Sequence, residues 1–105
     1  MHMSRFERGG VQLFSFEEGS GRVIVMLHGA LADHTAALPL IAPLGSRFRI
    51  VAPDLRGSGK SAYGGLLNFD QLADDVEALL NHLGVDRAVV GGISSGSGVA
   101  LRFAL

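Results

Sequence analysis

Three short strand-like runs, Val23–Leu27, Phe48–Ala52 and Arg87–Val90, each end on a loop rich in glycine. No other feature constrains the fold of this chain as much. Val23-Ile-Val-Met-Leu27 is apolar without alternation, the pattern of a strand covered on both faces. Val11–Glu17 does alternate, as a half-exposed strand should. Helix-compatible segments lie between the runs. Phe69, Leu72, Ala73, Val76, Leu79, Leu80 and Leu83 recur at three- and four-residue steps, which predicts one amphipathic helix. Asn68 with Gln71 resembles a capping box before it, and Gly84 suits a left-handed C-cap after it. Asp70, Asp74, Asp75 and Glu77 read as its solvated, dipole-stabilised side. Leu31–Leu44 allows a short helix interrupted by Pro39 and Pro43, and Val99–Leu105 is apolar and helix-compatible. Strands alternating with helices predict an α/β chain with a mostly parallel sheet and flanking helices.

At 105 residues the chain supports one domain at most, read here as an N-terminal tail over 1–9 and a domain over 10–105. The His2-Met3 pair reads as a remnant of cloning and is set aside. Nine Lys+Arg against ten Asp+Glu leave no basic field, so nucleic acid and anionic membranes are not expected partners. The absence of cysteine excludes a disulfide scaffold and a thiolate metal site; no metal and no cofactor are expected. No apolar stretch approaches a membrane span, and the N-terminus lacks the apolar core of a secretory signal, so the expected location is the cytoplasm. The 15 glycines are about twice the usual share, and many of them sit in motifs.

Gly59-Lys60-Ser61 ends like a phosphate-binding loop, but Asp54 stands where the first glycine of that loop belongs, and its carboxylate would repel phosphate. Gly57-Ser-Gly59-Lys-Ser-Ala62 fits the loose dinucleotide fingerprint, yet Tyr63-Gly64-Gly65 follows where a helix should open. Gly92-Ile-Ser94-Ser-Gly96 matches G-x-S-x-G, a serine on a tight strand-to-helix turn, with Ala88-Val-Val90 before it and a helix-compatible segment after it. Taken alone, the same residues also suit a glycine-serine turn that caps an ordinary helix.

Together these segments resemble the α/β-hydrolase family over about residues 10–105. Leu27-His28-Gly29-Ala30 resembles its oxyanion loop. Ala52-Pro-Asp-Leu-Arg-Gly-Ser-Gly-Lys-Ser61 resembles its D-x-R-G-x-G-x-S loop, and Val90–Leu101 resembles its nucleophile elbow and following helix. The resemblance implies that Ser94 is the nucleophile, attacking an ester or related carbonyl in a small-molecule substrate to form an acyl-enzyme. It also implies that the backbone N–H groups of Ala30 and Ser95 hold the oxyanion. His28 could be read as a catalytic base, but by the same resemblance it orients the oxyanion loop; Asp54 belongs to a structural loop, Asp33 reads as a helix cap, and His34 and His82 read as packing or surface histidines. A serine rather than an aspartate at the elbow disfavours epoxide hydrolases and haloalkane dehalogenases. The chain departs from the family at Ile93, often histidine, at Ser97, often glycine, and in lacking a tryptophan after the oxyanion loop.

In this family the acid and then the histidine of the triad follow the serine, beyond the helix in which this chain ends. The expectation is therefore an incomplete α/β-hydrolase fold, the N-terminal portion of a serine hydrolase, inactive alone for lack of the triad Asp and His. A non-catalytic binding or assembly module derived from the same fold is the alternative. The elbow strand would then be an open apolar edge through which the chain self-associates.

Overall fold

The computed structural model describes residues 2–105. Strands β1 (His2–Arg8), β2 (Val11–Glu18) and β3 (Val23–Leu27) come first. A segment of short helical pieces follows: a 3-10 turn at His34–Ala36, helix α1 (Leu38–Ile41) and a second 3-10 turn at Ala42–Leu44. Pro39 and Pro43 each occupy the first turn of a piece, where a missing N–H costs no bond, and so divide the segment. Strand β4 (Arg49–Asp54), helix α2 (Phe69–Leu83), strand β5 (Ala88–Gly92) and helix α3 (Ser95–Ala104) complete the order. No helix among the described residues is long and apolar enough to cross a membrane.

The five strands form one sheet in the order β1-β2-β4-β3-β5. The three strands that lead into glycine loops pair parallel, β3 with both β4 and β5. β1 and β2 extend them in antiparallel fashion, so the sheet is mixed. The tail expected over 1–9 is corrected by β1, which pairs along its length with β2 from His2↔Glu17 to Arg8↔Val11. Gly9 and Gly10, both with positive φ, make the tight connection that the strand twist requires. Phe6 is the only buried side chain of β1, so apolar periodicity could not reveal the strand.

Val23, Val25 and Leu27 of β3 turn one face toward α2 and α3, in a core with Leu13, Val51, Val76, Leu79 and Val99. Ile24 and Met26 face a smaller cluster of Ala37, Ile41, Ile50 and Ala52 and are only partly buried. β3 is thus less evenly covered than its composition suggests; β4 is the strand buried almost throughout.

Helix α2 starts and stops where its sequence signals stand. The Asn68 side chain accepts the Gln71 N–H at 2.7 Å, and Gly84 closes the helix at φ 69°. The Gln71 amide does not complete the box; it donates to the Tyr63 hydroxyl at 3.3 Å. The apolar stripe of α2 is buried at Ala73, Val76, Leu79 and Leu80, partly buried at Leu72 and Leu83, and half exposed at Phe69. One member of the expected solvated side is corrected. Asp70, Asp74 and Glu77 are exposed, but Asp75 is buried between Arg56, at 2.8 and 2.9 Å, and Arg8, at 2.5 Å.

Candidate active site

Helix α3 opens directly from β5 through Ile93 and Ser94. Ser94 has φ 54° and ψ −122°, a conformation that a side-chain-bearing residue adopts only under constraint. The two flanking glycines supply that constraint. A Cβ on Gly92 would lie 2.2 Å from the Gly96 carbonyl group, and one on Gly96 would lie 2.3 Å from the Leu27 carbonyl oxygen. Only hydrogen fits at either position, because strand and helix backbones touch there. A glycine-serine turn serving only as a helix cap has no need of such contact, and the Ser94 side chain makes no capping bond. Ile93 is anchored by its N–H to the Leu27 carbonyl at 2.9 Å, and its side chain packs on the Ala37–Ile41 cluster. An apolar residue is therefore well placed where the family often has histidine.

The His28–Ala30 loop is seated against this turn. A Cβ on Gly29 would come within 3.2 Å of the Ser94 Cβ. His28 is buried. Its Nε2 accepts the Leu55 N–H at 2.9 Å, which places the ring proton on Nδ1, and Nδ1–H donates to the Gly29 carbonyl at 2.7 Å. Both ring nitrogens are engaged, so His28 fastens the loop to β4 and has no lone pair left for the Ser94 proton. Ala30 N–H points at the start of α3, where it donates to Ser95 Oγ at 2.8 Å. Ser95 is the first helical residue, whose own N–H has no intrahelical acceptor and where the dipole favours negative charge. Ala30, Ser94 and Ser95 are therefore brought together.

Next to Ala30, Leu31 has φ 61° and a fully exposed side chain. A leucine is unusual in that conformation, and sequence reasoning passed over it because no residue pattern announces it. A cleft of about 210 Å³ runs from His28, Gly29 and Ala30 past Ser95 to Leu67, Phe69 and Val99.

The loop after β4 shows why it resembles a phosphate loop without being one. The Asp54 carboxylate accepts the backbone N–H groups of His34 at 2.8 Å and Lys60 at 3.0 Å, and a Cβ on Gly59 would lie 2.5 Å from it. The chain's own carboxylate occupies the place of an anion. His34 Nδ1 lies 2.8 Å from Asp54, and the ring stacks on Phe16 at 3.6 Å. Asp33 caps the 3-10 turn by accepting the Thr35 N–H at 2.9 Å. Hydrogen bonds from the Thr35 side chain and backbone hold its carboxyl below the usual carboxylate range. Asp33, His34 and Asp54 are grouped closely enough to ligate a metal ion, but each already has a hydrogen-bond partner within the fold. His82 stacks on Phe6.

A strained serine between two sterically required glycines, with an amide-bearing loop packed against it, gives the chain the strand–turn–helix arrangement of an α/β-hydrolase fold. The chain belongs to the α/β-hydrolase fold family, whose model matches residues 22–105. It is 36% identical over 96 residues to the AB hydrolase superfamily protein YisY of Bacillus subtilis, covering 89% of this chain and 35% of that protein. It is 37% identical over 97 residues to a soluble epoxide hydrolase of a Corynebacterium strain, covering 90% of this chain and 34% of that one. A thermophilic esterase from Thermogutta terrifontis superposes with a TM-score of 0.88 at 33% identity, over 99% of this chain and 40% of the esterase. The chain thus spans about a third of the length of the curated relatives it matches.

Proposed function

We propose that the chain carries the nucleophile and oxyanion-binding portion of a serine hydrolase that cleaves esters or related carbonyl compounds, working on a small-molecule substrate in the cytoplasm. The observation that carries this reading is Ser94 at positive φ on the β5–α3 turn, held there by Gly92 and Gly96. A general base removes the Ser94 hydroxyl proton as Oγ attacks the carbonyl carbon. The negative charge on the carbonyl oxygen is met at the start of α3 and the Ala30 loop. The leaving group departs with the proton, and water then hydrolyses the acyl-serine.

The identity of the nucleophile separates this reading from epoxide opening, despite the epoxide hydrolase among the relatives. A carboxylate that opens an epoxide forms an ester, which water can cleave at its acyl carbon. Serine would form an ether, which has no acyl carbon and would trap the enzyme. Ser94 therefore favours an acyl substrate.

His28 has both nitrogens engaged, and His34 is bonded to Asp54. We infer that the base and its orienting acid come from outside these 105 residues, in keeping with the third of the relatives' length that they span. The isolated chain is then expected to cleave p-nitrophenyl acetate no faster than its Ser94→Ala variant. The whole protein is expected to be labelled at Ser94 by a fluorophosphonate and to lose that labelling in Ser94→Ala. A rate in the isolated chain that Ser94→Ala abolishes would sink the inference about the base. A whole protein that the probe leaves untouched would sink the hydrolase reading.

β5 pairs with β3 alone among the described strands, and Val89 on it is well exposed. The isolated chain is expected to self-associate through this edge, with Val89→Lys shifting it toward monomer. Sedimentation that finds a stable wild-type monomer at high concentration would count against this.

A further inference from the structure

We propose that the Ser95 side chain, and not only its backbone N–H, is a donor to the oxyanion, and that it acts as a relay for Ala30. The proposal rests on the serine-hydrolase reading and concerns how the negative charge is held. Ala30 N–H, one of the two amides expected to face the oxyanion, donates to Ser95 Oγ at 2.8 Å. Both residues line the same cleft, so the hydroxyl that takes up the loop amide belongs to a residue of that cleft. A hydroxyl has one proton and two lone pairs. Accepting from Ala30 uses one lone pair and leaves the proton, for which no acceptor is found among the described residues.

Ser97, two residues along, shows the contrast. Its hydroxyl donates to the Ser94 carbonyl, a local helix bond that uses its proton up. Ser95 keeps its proton, in a cleft whose walls include Leu55, Leu72 and Val99 beside the polar Arg56, Ser58 and Asn68. With no protein acceptor among the described residues, this O–H is open to solvent or substrate and gains most from an anionic acceptor, and a hydroxyl that already accepts an N–H is polarised toward donating. The oxyanion formed on attack by Ser94 would receive Ser95 N–H and Ser95 Oγ–H, with Ala30 N–H supporting the hydroxyl from behind. No proton is transferred in this arrangement. The charge of the intermediate is spread along an N–H···O–H···O⁻ chain.

The test uses the whole protein, p-nitrophenyl acetate kinetics and the rate of labelling by a fluorophosphonate. Ser95→Ala keeps the backbone donor and releases Ala30 N–H. Ser95→Thr keeps the hydroxyl. Because the released amide can partly substitute, the loss in Ser95→Ala is expected to be about tenfold in kcat, below the roughly hundredfold or more of a donor lost outright. KM should stay within about twofold, since the interaction is strongest in the transition state. Ser95→Thr should restore most of the rate, and Ser95→Cys, similar in size but a weak donor, should behave like Ser95→Ala. That third variant keeps the test decisive should Ser95→Ala fold poorly. An unchanged or raised kcat in folded Ser95→Ala would overturn the relay, because the hydroxyl would then merely occupy the amide until substrate displaces it. A wild-type protein left unlabelled at Ser94 would instead overturn the underlying hydrolase reading.

Discussion

Gly96→Ala is expected to remove more than about 3 kcal/mol of folding stability, while Gly98→Ala in the same helix is expected to be neutral or stabilising. Helix propensity alone predicts a gain of about 1 kcal/mol for both, since alanine is the better helix former. The surroundings separate them. A Cβ at Gly96 would lie 2.3 Å from the Leu27 carbonyl oxygen and 2.6 Å from that of His28, both backbone atoms of β3 and the loop that follows it. Relief requires α3 to move away from the sheet, which strips contacts from Val99 and displaces Ser94 and Ser95 together. A Cβ at Gly98 would meet only the far edge of the Phe69 ring, at 2.8 Å, and that ring is half exposed and free to turn. Urea unfolding of the two variants measures the contrast, read as a change in midpoint at constant slope. Equal midpoints would show that the backbone contact at Gly96 is softer than its geometry implies.

That contact also marks the boundary of what residue patterns can reveal. The elbow, the His28 loop and the Asn68–Gly84 helix were legible because their signals are local: glycines at fixed offsets, a cap, an apolar stripe. β1 was missed although Gly9-Gly10 announces a tight hairpin, because only Phe6 of its seven residues is buried. Strand identity there comes from pairing with β2, not from burial. The Ala30–Ser95 bond joins residues 65 apart, and nothing in either residue's neighbourhood indicates it. Leu31 shows the same limit from the other side, since its positive φ comes from the loop's path around the elbow and not from its own side chain. Asp75 is the clearest case. It sits among acidic neighbours that are exposed as expected, and only the arrival of Arg8 and Arg56 from distant positions explains its burial.

Asp75→Ala is accordingly expected to cost about 3–5 kcal/mol, the range found when one member of a buried ion pair is removed. The Asp75 and Arg56 side chains are 5% and 4% exposed, around an apolar wall that includes Leu55, Val76 and Leu79. The Asp75 carboxylate, through its hydrogen bonds, raises the pKa of the Arg56 guanidinium, so Arg56 remains charged and would be left buried without its counter-ion. Arg8, a third exposed, has water as an alternative partner and adds less. An exposed pair gives the control. Asp70→Ala, which removes the partner of Arg102 on the outer side of α2, should leave the unfolding midpoint nearly unmoved. The combined Arg56→Met and Asp75→Leu replacement is expected to recover much of the loss, because no unpaired charge then remains buried. A single Asp75→Ala change that costs under about 1 kcal/mol would mean that water reaches Arg56 once the carboxylate is gone. The consequence extends to the site. Arg56 follows directly on Leu55, whose N–H fixes the His28 ring, and its guanidinium lies 4.8 Å from the centre of the Tyr63 ring. Asp75 therefore anchors, from helix α2, the segment that holds the His28–Ala30 loop against Ser94.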